Sequence, residues 1–472
     1  MTTDQSAPAS GSRATLPSPS WAGEFRAQFA LGWPLIIAQL AQISLLTTDV
    51  VMLSRLGPKY LAAATIANAL LIAMQLFGLG ITEAVAPLTA QALGAGDRRA
   101  VRHFVRQGIW IAIGVALLLL PVLWNIGPIY HLLGQDPELV GMAETFVHFA
   151  LWIIFPGFLV SVFRSFLSAH GDTRVILWIM IAAVVVNALG DYALIFGNWG
   201  FPRLELAGAG IATTLTSLAM LVLILAYIIT HRRYRRYHIF HKLLEADWPR
   251  LLEVLRVGIP IGFMRFAEVL LFTSASLLQG WIGQDAVAAH AIALQLASIT
   301  FMVPLGISQA TTVRVGLALG ERDREGIRRA GWMGQIVTVL FMACTAICFL
   351  LAPGLLVSLF LNPTDPQSAG AFQLATSYLV VAGLFQLFDG TQVTMGAALR
   401  GLSDTRVPLY IALVGYWLVG FPVSYVLAFP LGLQGVGVWW GLAAGLASVG
   451  LILTVRFAMR DRLGLTAGIA AA

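Results

Sequence analysis

One pattern occurs twice in this sequence. It appears first as LGITEAVAPLTAQALGAGDRRAVR, residues 79–102, and again as LGISQATTVRVGLALGERDREGIR, residues 305–328. Each copy is a largely apolar stretch that passes into a short segment rich in Arg, Asp and Glu. A long apolar stretch that is closed by arginines predicts the end of a membrane-spanning helix. Two copies of the same ending predict a fold that is built from two related halves.

The duplication extends beyond these segments. When the sequence is aligned with itself at an offset of 226 residues, 31–103 matches 257–329 without a gap, with 21 identities in 73 positions. A second match pairs SAHGDTRVILWI (168–179) with RGLSDTRVPLYI (400–411). Parallel repeats related by an axis along the membrane normal are typical of transporters, which bind substrates between the repeats. We therefore expect two pseudo-two-fold-related lobes of six helices, with a cavity between them.

The composition predicts an all-α membrane protein. The 472 residues are 58% hydrophobic and 11% charged, whereas soluble proteins are about half apolar and about a quarter charged. Apolar runs separated by short loops predict twelve transmembrane helices, at 29–53, 61–92, 104–127, 140–168, 174–196, 207–230, 254–281, 286–319, 330–361, 370–399, 407–429 and 434–457.

These helices define the predicted organisation of the chain. We expect a disordered cytoplasmic tail at 1–24, an N-lobe at 25–230, a cytoplasmic connector at 231–253, a C-lobe at 254–458 and a cytoplasmic tail at 459–472.

The basic residues predict the orientation. If the N-terminus is cytoplasmic, then Arg55, Lys59 and Arg203 face outwards, Arg265 lies inside a helix, and the other 25 of the 29 Lys and Arg lie at or near the inner side. The positive-inside rule then places both termini in the cytoplasm. The net charge of +6 follows from this arrangement, so we expect contacts with membrane lipids and no binding of nucleic acid.

Five acidic residues fall within the predicted helices: Asp49, Glu83, Asp191, Glu268 and Asp389. A charged residue at the centre of a membrane helix costs about 2.5–3.5 kcal/mol on insertion scales. These side chains must therefore be protonated part of the time, be paired, or face a wet cavity. The two halves do not share them, because Asp49 aligns with Ala275 and Glu83 with Gln309. This asymmetry indicates function rather than scaffold.

The first half contains a candidate cation site. Asn187 and Asp191 are four residues apart and so share one helix face. A carboxylate with an amide oxygen one turn away can accept a proton or supply the hard oxygen ligands that Na⁺ needs. Asp49 and the hydroxyl of Thr213 could complete a cation-coupling site, with Asp49, Asn187 and Asp191 able to hold Na⁺. The structural alternative for Asp191 is a hydrogen bond between packed helices.

The second half contains a second acidic group of residues. Arg265 precedes Glu268 by three residues, on about the same helix face, and Asp389 has no local partner in the sequence. Glu268 and Arg265 could form a structural ion pair, or together with Asp389 they could form a site for a cation or a substrate. Glu83 is a weaker candidate, nearer to the inner third of its helix.

Several motifs resemble one family. The GDTR and SDTR segments and residues 288–320 strongly resemble the multidrug and toxic compound extrusion (MATE) family, over roughly residues 25–458. The segments LLTTDVVML, RFAEVLLF and FDGTQV are similar to its bacterial NorM-type branch. The resemblance implies a V-shaped bundle in the bacterial inner membrane. It also implies an antiporter that exports cationic and amphipathic drugs, as a monomer, with H⁺ or Na⁺ as coupling ion and no other cofactor.

The resemblance also assigns residues. Asp49 matches the acid in the first helix of the family's N-lobe cation site, and Asn187, Asp191 and Thr213 resemble the other members of that site. Glu268 and Asp389 match the C-lobe acids of NorM-type members. Arg265 departs from the pattern, since an uncharged residue is expected beside Glu268. This departure favours the N-lobe site for coupling.

Three alternatives belong to other classes. A flippase of lipid-linked oligosaccharides or other lipids, from the same superfamily, needs a cationic cavity and often has two more helices; with only Arg265 predicted inside a helix, it is disfavoured. A membrane-embedded enzyme is disfavoured because there is no HExxH motif and no GxSxG before a helix, so we predict that the protein is not an enzyme. A channel explains the duplicated lobes less well than alternating access does.

Overall fold

The computed structural model describes residues 20–132, 134, 136–241, 245, 247–363 and 365–467. Over these residues it is helical, without β-strands. We number its twelve long helices α1–α12 in chain order: Trp21–Ser54, Lys59–Gly94, Arg98–Trp124, Pro137–Ala169, Thr173–Phe196, Glu205–Thr230, Trp248–Ile282, Gln284–Glu321, Arg324–Leu351, Ala369–Gly401, Arg406–Ala428 and Gln434–Ala458.

Eleven of these helices, all but α7, are long and apolar enough to cross a membrane, judged over the described residues. The remaining helix, α7, carries Arg265 and Glu268 near its middle, which makes it less apolar than the others. Its 35 residues give a length of about 50 Å, more than a bilayer core requires. It also packs against α2 and α8 inside the bundle. The prediction of an all-α fold with twelve transmembrane helices is confirmed.

Some helices contain local irregularities. α2 is interrupted at Ala84, α4 contains a single 3₁₀ turn at Leu151–Ile153, and α11 contains a π-helical turn at Val414–Gly420. Such turns inside long helices often mark functional positions. Short helices at Ile126–Leu132, Arg232–Arg235 and Pro353–Val357 join the long ones.

The first helix begins earlier than predicted. The Ser20 side chain accepts a hydrogen bond from the backbone N–H of Gly23 at 3.2 Å, which caps the start of α1. Residues 21–24 are therefore helical and do not belong to the predicted disordered tail. The physical reason is Glu24, which is 1% exposed and pairs with Arg314 of α8. Residues 1–19 of the predicted tail lie outside the described residues.

The connector and the C-terminal tail are also partly ordered. α7 begins at Trp248, where Asp247 caps its first turn, so the last residues of the predicted connector belong to a transmembrane helix. In the predicted C-terminal tail, Arg460 and Thr466 are buried.

Two hydrophobic cores correspond to the two halves of the chain. The first is formed by residues of α1–α6, together with Val254, Val257 and Ile261 of α7. The second is formed by residues from Ala267 in α7 to Phe457 in α12. α7 therefore changes partners along its length, with its first turns packed on the N-terminal half and its later turns on the C-terminal half. It is the helix that most directly connects the two lobes.

The lobes meet through α1 on α8 and α2 on α7 and α8. Glycines allow the closest contacts: a Cβ added at Gly80 would lie 2.7 Å from the Cα of Gly262, and one added at Gly320 would lie 2.0 Å from the carbonyl oxygen of Gln91. These contacts lie near the start of α1 and α7 and the end of α2 and α8. We call this the closed end of the bundle; it also carries the connector and the described ends of the chain.

Candidate functional site

Four predicted residues of the first half lie together. The Asn187 Nδ2 of α5 donates to the Asp49 Oδ1 of α1 at 3.1 Å. The Thr213 Oγ1 of α6 lies 3.4 Å from the Asp49 Oδ2, but its single proton has a closer acceptor in the Ala209 carbonyl, at 2.8 Å. The Asp191 carboxyl group interacts with that of Asp49. Three helices therefore bring their polar side chains to one point.

Asp191 has a shortage of hydrogen-bond donors. It is fully buried, and neither of its carboxyl oxygens accepts a hydrogen bond from the described residues. The Oδ1 of Asn187 is also buried and without a donor. Two adjacent carboxylates cannot both remain ionised in such a place without a compensating cation. The cluster is thus suited to hold one, either a proton shared between the carboxyl groups or a small metal ion on their oxygens.

A cavity of about 270 Å³ adjoins this cluster inside the first lobe. Asp49, Asn187 and Thr213 line one part of its wall, and Gln42 and Arg164 line another. Most of the remaining wall is apolar. The acidic group therefore borders a space that a cation can occupy.

In the second lobe, one amide joins the two acids. The Gln392 Nε2 donates to the Glu268 Oε1 at 2.9 Å and lies 3.3 Å from the Asp389 Oδ1. The Gln392 Oε1 accepts a hydrogen bond from the Tyr416 hydroxyl at 2.6 Å. Gln392 and Tyr416 were not predicted. Gln392 follows Asp389 by three residues on the same helix, which is a usable signal, whereas nothing in the sequence links Tyr416 to this site.

The MatE family model matches residues 34–193 and 260–426, about two thirds of the sequence. The chain belongs to the MatE family. It is 43% identical over 455 residues to the "Probable multidrug resistance protein NorM" of Mesorhizobium japonicum, covering 96% of this chain and 97% of that protein. It is 44% identical over 438 residues to the protein of the same name from Rhizobium meliloti, covering 93% and 94%. The predicted resemblance is confirmed.

Solved structures share the fold of this MatE protein. A mutant of the Vibrio cholerae MATE transporter VcmN superposes with a TM-score of 0.86, at 19% identity, over 94% of this chain and 99% of that one. The eukaryotic MATE transporter AtDTX14 superposes with a TM-score of 0.81, at 20% identity, over 94% and 99%. At this identity the likeness shows the fold alone.

The acid Glu83 lies among arginines in this MatE protein. Its Oε2 is 3.7 Å from the Arg265 NH2 and 3.5 Å from the Arg400 NH1. Arg164 is a further charged neighbour. Arg265 is also 3.9 Å from the Glu268 Oε2, so it bridges Glu83 of the first half and Glu268 of the second. Glu83 thus lies where the two halves meet.

The prediction that Arg265 is the single arginine within the bundle is wrong. Arg164 of α4 and Arg400 of α10 also point into it, and Arg400 is 7% exposed. Both lie five residues or fewer from the end of a helix, which made them resemble residues that face lipid headgroups. Distance along a helix indicates depth in the membrane, but helix rotation decides whether a side chain faces the bundle, and packing sets that rotation.

Hydrogen bonds seal the closed end. The Gln91 Nε2 of α2 donates to the Gly401 carbonyl at 2.8 Å and to the Ser403 Oγ at 2.9 Å. The Arg314 NH2 and Nε donate to the two carboxylate oxygens of Glu24, at 2.5 and 2.8 Å. Each bond joins the N-terminal half to the C-terminal half. In this conformation a solute in the central cavities cannot leave through the closed end.

Proposed function

We propose that this protein is an exporter of cationic and amphipathic drugs and other toxic organic compounds, driven by H⁺ or Na⁺ through alternating access. The observation that carries the proposal is the Asp49–Asn187–Asp191 cluster, in which two carboxyl groups adjoin with one amide donor and border a cavity. The multidrug resistance proteins among its relatives support the substrate class.

Cation binding at this cluster would act on helix packing. Asp49, Asp191 and Thr213 belong to α1, α5 and α6, and α1 also packs on α8 of the other half. A proton or Na⁺ that neutralises the carboxyl groups relieves their repulsion and allows the three helices to approach. Because a ligand shifts a conformational equilibrium only through its differential affinity for the two states, the drug and the cation must favour different arrangements of α1.

We further propose that the closed end faces the cytoplasm. The basic connector around Arg232–Arg235 and the basic segments that follow α2 and α8 lie at this end, as the positive-inside rule favours. The conformation described here is then outward-facing, in an inner membrane, with both termini cytoplasmic. In this state the exporter would release the drug and load the cation.

Glu268 and Asp389 are proposed to attract the positive charge of a drug. Gln392 holds the two carboxyl groups close together, while Arg265 lies on the other side of Glu268. This second site would favour organic cations by charge, and the apolar cavity walls would accept rings of varied shape. We propose a monomer that requires no cofactor beyond the coupling ion.

A lipid or lipid-linked oligosaccharide flippase is the second candidate. The arginines around Glu83 favour it more than the sequence suggests, because a flippase for phosphorylated lipids needs positive charge in its cavity. The relatives with more than 40% identity bear the name of a multidrug resistance protein and favour drug export. An enzyme is not proposed, because those relatives are named as resistance proteins rather than as catalysts.

The proposal is tested by reconstituting the purified protein in liposomes that contain the cationic dye rhodamine 123. A pH gradient and a Na⁺ gradient are imposed separately, in protein-containing and in protein-free liposomes. We expect one of the two gradients to drive dye movement against its concentration. If neither gradient moves the dye faster than in protein-free liposomes, the proposed coupling is wrong.

A further inference from the structure

The contact between the lobes contains an unusual concentration of guanidinium groups. Arg164 of α4, Arg265 of α7 and Arg400 of α10 all surround Glu83. Charged side chains inside a membrane bundle are costly and generally serve a function. Three arginines around one carboxylate exceed what an ion pair between the lobes requires. We call these three residues the arginine cluster.

The arginine cluster has more donors than acceptors. Each guanidinium carries five N–H groups. Within 4.0 Å, Arg265 and Arg400 share Glu83, and Arg265 also reaches Glu268. Over the described residues, Arg164 has no ion pair within that distance and no hydrogen bond, and the buried Nε of Arg400 has no acceptor. Even with Glu83 and Glu268 both ionised, three positive charges face two negative ones.

Two cavities bring the unpaired donors to open space. One, of about 190 Å³, is lined by Arg164 and Arg265 together with Gln39, Gln42 and Gln309. The other, of about 40 Å³, lies towards the closed end and is lined by Arg164 and Arg400 among others. Arg164 borders both. The larger cavity also has apolar walls from leucines and Met302, so it offers positive charge on one side and a greasy surface on the other.

We propose that the arginine cluster is an anion subsite, which binds the carboxylate of an amphipathic substrate while the apolar wall holds its ring system. Arg–carboxylate pairs are strong and directional because the guanidinium can donate two parallel hydrogen bonds. The protein would then export zwitterionic and anionic amphiphiles as well as cations. This inference rests on the proposed export function, because it names a further substrate class for the same cleft.

A purely mechanical role for the arginines makes a different prediction. If they only hold the lobes together, neutralising any of them changes the conformational equilibrium and alters the binding of all substrates alike. Arg164 separates the two roles, because it has no close ion pair to Glu83 whose loss would loosen the contact between the lobes. Removing its charge should therefore affect anionic ligands and spare cationic ones.

The experiment uses two dyes that share one scaffold. Rhodamine 110 carries a free carboxylate, and rhodamine 123 is its methyl ester. Binding of each dye to the purified full-length protein in phosphatidylcholine nanodiscs is measured by fluorescence anisotropy. A hydrogen bond to a charged group contributes about 1.5–3 kcal/mol. We therefore expect Arg164→Gln to weaken the binding of rhodamine 110 by about tenfold or more, to change that of rhodamine 123 by less than about twofold, and Arg164→Lys to restore part of the loss.

Controls and refuting results are defined as follows. Arg328→Gln, at an arginine that faces solvent beside Glu325, should leave both dyes unaffected. If wild-type protein does not bind rhodamine 110, or if Arg164→Gln weakens both dyes equally, the anion subsite is wrong. These results do not touch the export proposal, which the gradient-driven transport of rhodamine 123 decides separately.

A lipid phosphate has the same chemistry as a substrate carboxylate, and a second set of nanodiscs distinguishes the two. Equal binding of rhodamine 110 in phosphatidylcholine and phosphatidylglycerol discs supports the substrate. If phosphatidylglycerol suppresses binding to wild-type protein but not to Arg164→Gln, a headgroup occupies the site and the substrate assignment is overturned.

Discussion

Gly320→Ala should force the closed end open. Gly320 lies in α8, directly against the end of α2. A Cβ at this position would be 2.0 Å from the carbonyl oxygen of Gln91 and 2.8 Å from the backbone nitrogen of Ala95. Ordinary contacts begin at 3.4 Å, so the nearer atom would have to move by about 1.4 Å. Both are backbone atoms that cannot rotate away, and the two helices must separate.

The cost of this separation falls on one conformation only. Overpacking of a tight contact costs about 1–3 kcal/mol. A conformation in which α2 and α8 have moved apart at the closed end does not bear this cost. The substitution should therefore raise the population of the opened conformation by about 5- to 150-fold.

Cysteine labelling measures the shift. Ser168 is 6% exposed and lines the small cavity beside Gly320's end of the bundle. Ser168→Cys is introduced after the exposed Cys344 and Cys348 are changed to Ser, and its rate of reaction with a maleimide is followed. We expect Gly320→Ala to raise this rate by the factor given above.

The matched control is Gly114→Ala. Gly114 also lies inside a transmembrane helix, but a Cβ added there meets nothing within 4 Å. It should leave the labelling rate unchanged. If Gly320→Ala and Gly114→Ala label at the same rate, the closed end does not depend on this glycine contact, and the assignment of the closed end as a moving seal is wrong.

Two further predictions concern stability. Burial lowers the pKa of His170, which follows α4 at the closed end, to about 4, whereas an unfolded histidine titrates near 6.5; the unfolded chain therefore gains the proton first, and stability should fall by up to about 3 kcal/mol as the pH drops from about 6.5 to about 4. Thermal unfolding in detergent at several pH values checks this, and an equally steep loss in His170→Gln would contradict it. Glu24→Gln leaves Arg314 without its buried partner and should cost about 3–5 kcal/mol, whereas Lys59→Gln, in the exposed pair with Glu138, should cost less than about 1 kcal/mol; similar melting temperatures for both variants would refute the role of the Glu24 pair.

The fold could be predicted because hydrophobicity and the internal repeat act over long stretches. Each helix is long enough for its apolar run to outweigh single polar residues. α7 is the case in which the signal is weakest, since Arg265 and Glu268 reduce its apolarity, and its alignment with the first helix identified it instead. The ends of helices were less predictable. Glu24 was assigned to the tail because its buried partner, Arg314, is 290 residues away.

The sites were only partly accessible to sequence reasoning. The spacing of Asn187 and Asp191 places them on one face, and the structure puts Asp49 beside them. The environment of Glu83 could not be anticipated, because Arg164 and Arg400 come from helices whose rotation the sequence does not reveal. Tyr416 reaches Gln392 from a π-helical turn, an irregularity without a sequence signal that we could identify.

The central claim is that the carboxyl groups of Asp49 and Asp191 bind the coupling cation. The most direct measurement is the transport of rhodamine 123 into liposomes by Asp191→Asn and Asp49→Asn, under whichever gradient drives the wild-type protein, with dye binding measured in parallel. Our account predicts that both variants bind the dye with near wild-type affinity but no longer accumulate it against its gradient. Full gradient-driven accumulation by both variants would contradict it.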